Sequence, residues 1–430
     1  MTLSELYRSK VTSAENALKV IHSGDRVYMH PGCATPQHLV NVLSSMKDDL
    51  YDVEIVHILT FGPAPYVEPD CARHFRHNAL FSGSNVRSAI NEGRADWMPI
   101  FLGEVPSLWL RGKLPLDVSL IHCTPPDEHG FCSLGVGVDT TLSAVRCSRY
   151  VIAQVNPNMP RTLGDAFVHI SKLTHAVEVD EPIIEVPQAT EFTDVHQKIG
   201  RAVADVIEDG ACLQMGIGAI PDAVLFYLKE KKDLGIHTEM FSDGVKELFE
   251  AGVINCEQKN IHKGKIIASF LLGSRKLYDF VDNNPFVEMH PTEYVNDPFI
   301  ISQNNKMTSI NSAIAIDITG QISSDSIGKQ IYSGFGGQVD FVRGASRSEG
   351  GKAIIALPST AKNMTRIVPH LEAGAGVVTS RADAHFVATE YGIVNLFGKN
   401  LRQRAKALIS IAHPKFREEL EKEAAARGLA

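Results

Sequence analysis

The sequence predicts two related open α/β domains, on the strength of three observations. Its 430 residues exceed one ordinary domain and suit two of roughly 200 residues. Short β-branched runs alternate with amphipathic segments from end to end, the pattern of parallel α/β folds. The two halves also echo each other: the stretches beginning at Ser23 and Asp209 each give a glycine turn, a strand, a glycine-containing loop and a proline at a helix start. Apolar residues then follow at matching offsets, Leu39 and Leu43 after Pro36, Val224 and Leu228 after Pro221.

In chain order, Arg26 to Met29, Val53 to Leu59, Val118 to His122 and Tyr150 to Gln154 read as strands of the first half. Cys212 to Met215, Ile236 to Phe241, Ala313 to Ile318 and Ala353 to Leu357 read as strands of the second. Helices are expected at Ser13 to His22, Pro36 to Leu43, Ile199 to Ile207, Asp222 to Glu230 and Leu401 to Ser410. Proline near the first turn of a helix is well placed, because its missing N–H would be unpaired there anyway. Prolines interrupt the pattern over Glu181 to Thr193, which sets the domains at 1–185 and 186–430 with the active site in the cleft between them.

Composition excludes several classes. A hydrophobic fraction of 44% with 21% charge describes a soluble globular protein. The net charge of −8 leaves no basic footprint for nucleic acid. No apolar run approaches the roughly 20 residues a bilayer span needs, so no membrane partner is expected. The N-terminus shows no basic region before an apolar core, and the seven cysteines are odd in number and scattered, which fits reduced thiols in a cytoplasm. Cys123, His129 and Cys132 lack the paired spacing of a metal site, so we expect a structural turn with buried thiols and no metal.

Four motifs could carry chemistry. Met215-Gly216-Ile217-Gly218-Ala219-Ile220-Pro221 lies between a strand and a helix, where glycines let backbone amides approach an anion at the helix N-terminus. A tight turn without ligand is the plain alternative. A Rossmann nucleotide site is the rival, but its third glycine position holds Pro221. Ile236 to Gly244 sets Glu239 near the end of a strand, where open α/β sheets place their crevice; an exposed strand acid is the plain alternative. Ser333 to Phe341 could form a turn of backbone donors, and Leu357 to Lys362 could set a lysine beside a phosphate. Lys399, Arg402 and Arg404 read as a solvated basic face, and Asp127, Glu128 and His129 as part of a structural turn.

Taken together, these motifs make the chain recognisable. Pro125 to Gly130, Gly216 to Pro221, His237 to Gly244, Gly336 to Gly344, Thr389 to Gly392 and Ile411 to Pro414 occur in one order. In them the sequence closely resembles the acetyl-CoA hydrolase/transferase family, in particular its 4-hydroxybutyrate and butyrate CoA-transferase branch. The resemblance implies that Glu239 is the catalytic glutamate, and that Gly216, Ile217, Gly218, Ala219, Ile220, Ile314, Gly337 and Lys362 contact CoA. Asn296 matches an asparagine near the substrate in more distant relatives. The implied reaction exchanges CoA between a short-chain acyl-CoA and a carboxylic acid such as acetate, by ping-pong kinetics through a glutamyl-CoA thioester. CoA is then a substrate, no cofactor is tightly bound, and a homodimer or larger homo-oligomer is implied. Backbone N–H groups of Gly216 to Gly218 and Gly336 to Gly337 are the expected oxyanion donors. An acyl-CoA hydrolase, a nicotinamide-dependent Rossmann oxidoreductase and a non-catalytic CoA sensor are the alternatives.

Overall fold

The computed structural model of the 430-residue chain describes residues 2–186, 188 and 191–430. The chain divides into two units, Met1–Pro187 with Ile267–Val295, and Gln188–Ile266 with Asn296–Ala430. Of the junction expected over 181–193, residues 187, 189 and 190 lie outside the described ones. The sequence offers one junction; the chain also returns to the first unit over 267–295. The return is pinned there by the strand Val287–Met289, which pairs in parallel with Leu163–Gly164, and by Thr292 N–H donating to the Asp139 carbonyl.

The first unit is built on seven parallel strands: β1 Arg26–Met29, β2 Val53–His57, β3 Phe75–Ala79, β4 Asp96–Trp97, β5 Val118–Cys123, β6 Tyr150–Val155 and β7 His175–Glu178. They lie in the order β7-β6-β5-β1-β2-β3-β4. Every residue of β5 is buried, as expected of a central parallel strand covered on both faces. Helix α1, Gln37–Ser45, follows β1 and buries Leu39, Val40 and Leu43 at helical spacing.

The main sheet of the second unit contains β8 Cys212–Met215, β9 Gly235–Ile236, β10 Met240–Phe241, β11 Met307–Ser312, β12 Lys352–Ala356, β13 Phe386–Thr389 and β14 Gly392–Asn395. The order is β10-β8-β11-β12-β13-β14, with β9 also on β8, and β8, β11, β12 and β13 run parallel. Helix α2, Asp194–Val206, is capped by the Thr193 side chain. It packs closely on helix α3, Ala219–Tyr227, because Gly200 has no side chain: a Cβ there would sit 2.9 Å from the Ala223 backbone. Helix α4, Gln338–Arg347, precedes β12, and helix α5, Leu401–Ser410, follows β14.

Two expected strands are corrected. Ile236 to Phe241 is not continuous: β9 runs parallel to β8 whereas β10 runs antiparallel to it, so the chain reverses over 237–239. The Thr238 hydroxyl locks the reversal, accepting from Met215 N–H at 3.3 Å and donating to the Met240 carbonyl at 2.8 Å. Ala313 to Ile318 begins just after β11 has ended at Ser312, and within it only the short strand Ala315–Asp317 forms.

Candidate active site

Several residues of interest in the second unit follow the carboxyl end of a strand of its sheet. Met215 ends β8 and leads to the glycine loop; β11 ends two residues before Ile314; β12 leads to Lys362; β13 leads to Glu390. The register of β8 and β11 is fixed by a buried reciprocal amide pair: Gln214 donates to Asn311 at 3.2 Å and Asn311 donates back at 3.0 Å.

In the glycine loop the members differ. Gly216 N–H donates to the Ile310 carbonyl at 2.8 Å, so it continues the sheet and is not available as an oxyanion donor, contrary to the expectation from sequence. Gly218 has φ 116°, a left-handed value that disfavours any side chain, and a Cβ there would meet nothing within 4 Å. It caps α3, whose first N–H groups, at Ala219 and Ile220, have no carbonyl of their own helix to bond. Ile217 is 47% exposed.

Glu239 sits half-buried at the chain reversal, next to Met240, which pairs with Met215. Its Oε2 accepts from Asn296 Nδ2 at 3.0 Å. The same nitrogen lies 3.3 Å from Asp340 Oδ2. Asn296 is fully buried and Asp340 is 6% exposed. Gly337, at the start of α4, leaves room for this group: a Cβ there would lie 1.8 Å from Glu239 Oε2 and 2.2 Å from Asn296 Nδ2. The carboxylate thus rests against the N-terminal turn of α4, where the helix dipole favours negative charge.

Helix α4 presents Gly337, Asp340 and Gly344 on one face, at spacings of three and four. A Cβ on Gly344 would lie 2.4 Å from the Ile301 side chain, so glycine there lets α4 close on the short helix Pro298–Ile301 that follows Asn296. The sequence reading singled out Gly337 but passed over Asp340. The available signal was its place one helical turn after the glycine.

The remaining candidates lie further along the same unit. Ile314 N–H donates to the Ser323 carbonyl at 2.9 Å. The neighbouring Ala313 carbonyl accepts from Arg366 at 3.3 Å, and burial holds that guanidinium below the usual arginine range. Lys362 is exposed at the tip of the hairpin Thr360–Ala361/Met364–Thr365, where it and Asn363 have φ 46° and 66°. Glu390 is not free: it accepts from Ser359 N–H at 2.8 Å and Ser359 Oγ at 2.6 Å. The basic cluster divides, since Lys399 and Arg402 are exposed whereas Arg404 is buried and donates to the Lys399 and Arg381 carbonyls. In the first unit Asp127 closes the Pro-Pro-Asp turn by accepting from the N–H groups of His129 and Phe131, with Cys123 and Cys132 buried and His129 exposed.

The chain matches known proteins over its whole length. Residues 1–187 match the acetyl-CoA hydrolase/transferase N-terminal domain and residues 273–424 the C-terminal domain of the same name. The chain therefore belongs to the acetyl-CoA hydrolase/transferase family. A 4-hydroxybutyrate coenzyme A transferase of Clostridium kluyveri is 52% identical over 425 residues, covering 98% of this chain and 99% of its own. A succinyl-CoA:acetate/propanoyl-CoA:succinate CoA transferase of Fasciola hepatica is also 52% identical, over 96% of this chain and 87% of its own. The crystal structure of RipA from Yersinia pestis superposes with a TM-score of 0.95 at 35% identity, covering 100% of both chains.

Proposed function

We propose that this enzyme of the CoA-transferase class exchanges CoA between a short-chain acyl-CoA, butyryl-CoA or 4-hydroxybutyryl-CoA, and an acid such as acetate, with Glu239 as nucleophile. The observation that carries the reading is the Glu239 carboxylate, held by the Asn296 amide against the side-chain-free Gly337 at the carboxyl end of a parallel sheet. Two relatives named CoA transferases share 52% identity over nearly the whole chain.

In the first step a Glu239 oxygen attacks the thioester carbonyl, the C–S bond breaks, and CoA thiolate leaves a mixed anhydride. The thiolate then adds to the Glu239 carbonyl carbon and expels the first acid as its carboxylate, giving the glutamyl-CoA thioester. An incoming acid reverses both steps. When the thiolate adds, charge develops on a Glu239 oxygen, and Asn296 Nδ2 is placed to stabilise it. One such donor contributes about 3 kcal/mol. Gly218, Ala219 and Ile220 offer N–H groups at the head of α3 to CoA, and the resemblance adds Ile217, Ile314, Gly337 and Lys362 to the CoA contacts. Gly216 is a further CoA contact in this reading but not an N–H donor, its N–H being bonded to the Ile310 carbonyl.

CoA enters and leaves as substrate, with no tightly bound cofactor, and the finer setting we propose is a cytoplasmic homodimer or larger homo-oligomer. The seven free thiols support a reducing compartment.

Borohydride trapping tests the reading. Enzyme loaded with acyl-CoA in the absence of acceptor acid should be inactivated, with the Glu239 side chain reduced to an alcohol in the digest. Glu239→Gln should escape the label and lose on the order of a thousandfold in kcat. A label on Glu247, Glu250 or Glu390, or inactivation without acyl-CoA, overturns the assignment. Turnover that is independent of added acetate would instead identify a hydrolase.

A further inference from the structure

The amide of Asn296 is held by two carboxylates, and only one of them takes part in the chemistry proposed above. We infer that Asp340 is the positioning residue that keeps the Asn296 N–H directed at Glu239 through the part of the cycle in which Glu239 carries no charge. The inference rests on Glu239 being the nucleophile.

An amide presents either its nitrogen or its oxygen with almost the same shape, so something chemical must choose. Ionised carboxylates only accept, so the nitrogen faces both Glu239 Oε2, at 3.0 Å, and Asp340 Oδ2, at 3.3 Å. The other end gives no help. Asn296 Oδ1 is buried and has no hydrogen-bond partner among the described residues. Turning the amide over would set that oxygen against two negative groups, and the two carboxylates therefore fix it by themselves.

The two are not equivalent in time. Glu239 passes from carboxylate to anhydride to thioester, and in the last two it is a neutral, weaker acceptor. Asp340 forms no covalent bond in the cycle, so its Oδ2 remains an acceptor for the same nitrogen throughout. The donor is needed when thiolate or acid adds to the neutral glutamyl carbonyl, so orientation by Asp340 matters there. The helix supplies rigidity: Asp340 lies one turn after Gly337, and Gly344 clamps the same face of α4 onto Ile301. The rival reading makes Asp340 only an acid in the first turn of α4, stabilising the helix dipole.

A double-mutant cycle separates the two readings. Asp340→Ala, Asn296→Ala and the pair are assayed for kcat and KM with acyl-CoA and acetate, for borohydride labelling of Glu239, and for thermal melting. Asp340→Ala should lower kcat about ten- to a hundredfold, less than or equal to the loss in Asn296→Ala, with KM for acyl-CoA within about twofold. Because Asp340 acts through Asn296, the pair should be no slower than Asn296→Ala alone. Asp340→Asn keeps an acceptor oxygen at this place and should recover kcat to within about fivefold of the unmodified enzyme. If Asp340→Ala does not fold, Asp340→Leu, close in volume and without an acceptor, should show the same loss. A pair whose loss is the product of the single losses overturns the inference, as does Asp340→Asn falling as far as Asp340→Ala, or Asp340→Ala at full kcat. If Glu239 is labelled normally and these results appear, the inference fails alone. If no variant and no unmodified enzyme labels Glu239, the nucleophile assignment fails and takes the inference with it.

Discussion

Two loops in this protein follow a parallel strand and lead into a helix past a proline, and they are put to opposite uses. After β1, residues 30–36 are all buried. Their polar groups are satisfied within the first unit: His30 Nε2 bonds the Gly137 carbonyl at 2.6 Å, Gly32 N–H donates to the Leu59 carbonyl, and Thr35 Oγ1 donates to the Gly32 carbonyl. After β8, by contrast, Ile217 and Gly218 are exposed, and space lies open beside Gly218. The apolar anchors behind both loops, Leu39 and Leu43 or Val224 and Leu228, are equally buried. The same strand–loop–helix unit is therefore closed into the core in one place and left open to solvent in the other, according to how the loop's own donors are spent.

The largest expected effect lies at the rim of the open loop's site. Gly337→Ala drives a methyl group into the space of Glu239 Oε2, 1.8 Å away, so the carboxylate must move by more than an ångström. Turnover should fall at least about a hundredfold. Thermal melting close to that of the unmodified protein would show the damage to be local, and near-normal kcat would remove Gly337 from the site.

Next comes the open loop itself. Gly218→Val places a Cβ where nothing lies within 4 Å, so its main cost is the φ of 116°, about 1–3 kcal/mol of backbone strain. The loop relieves that strain by turning away, and kcat/KM for acyl-CoA should drop about tenfold or more. Unchanged kcat/KM in a folded variant would erase the distinction between the two loops.

The smallest effect per residue belongs to the closed side and appears as acid lability. Burial lowers the pKa of His30 to about 3 and of His77 and His122 to about 4, and it lowers that of His57, whose ring stacks on His77 at 4.1 Å. Each is neutral in the folded unit but takes up a proton when unfolded, with an ordinary pKa near 6.5. Their stabilisation is present above pH 6.5 and is lost as the pH falls toward 4, about 1 kcal/mol from each by pH 5.5. Asp139 works in the opposite sense, because burial raises its pKa to about 6 and it binds its proton in the folded state first. Urea melts at pH 7.5 and 5.5 should show a net loss at the lower pH, with amide exchange rising first around His30 and His122. Equal stability at the two values would mean that these rings are not held neutral.

What the sequence could reveal follows from how local each cause is. Leu401–Ser410 is a helix as predicted, because Asn400 and Gln403 form a capping box within four residues of chain. Leu39, Leu43, Val224 and Leu228 were readable as core from spacing alone. The reversal before Glu239 was not, since Thr238 locks it through Met215, more than twenty residues away. The return of 267–295 to the first unit depends on pairing with Leu163–Gly164 and was equally hidden. In the site, Glu239 and the glycines were named from motif resemblance, whereas Asp340 becomes visible only when α4 carries it to Asn296. Arg404 was read as part of a solvated face because nothing local announces that it pins two carbonyls.

The hairpin tip that carries Lys362 has a consequence for engineering heat resistance. Lys362 and Asn363 adopt the same left-handed backbone conformation, which costs a lysine roughly 1–2 kcal/mol and an asparagine less. Replacing either by glycine would relax the turn. Both substitutions relax the backbone, Asn363 by less, but only Lys362 carries the positive charge assigned above to CoA. A stabilisation programme should therefore begin at Asn363 and leave its neighbour alone.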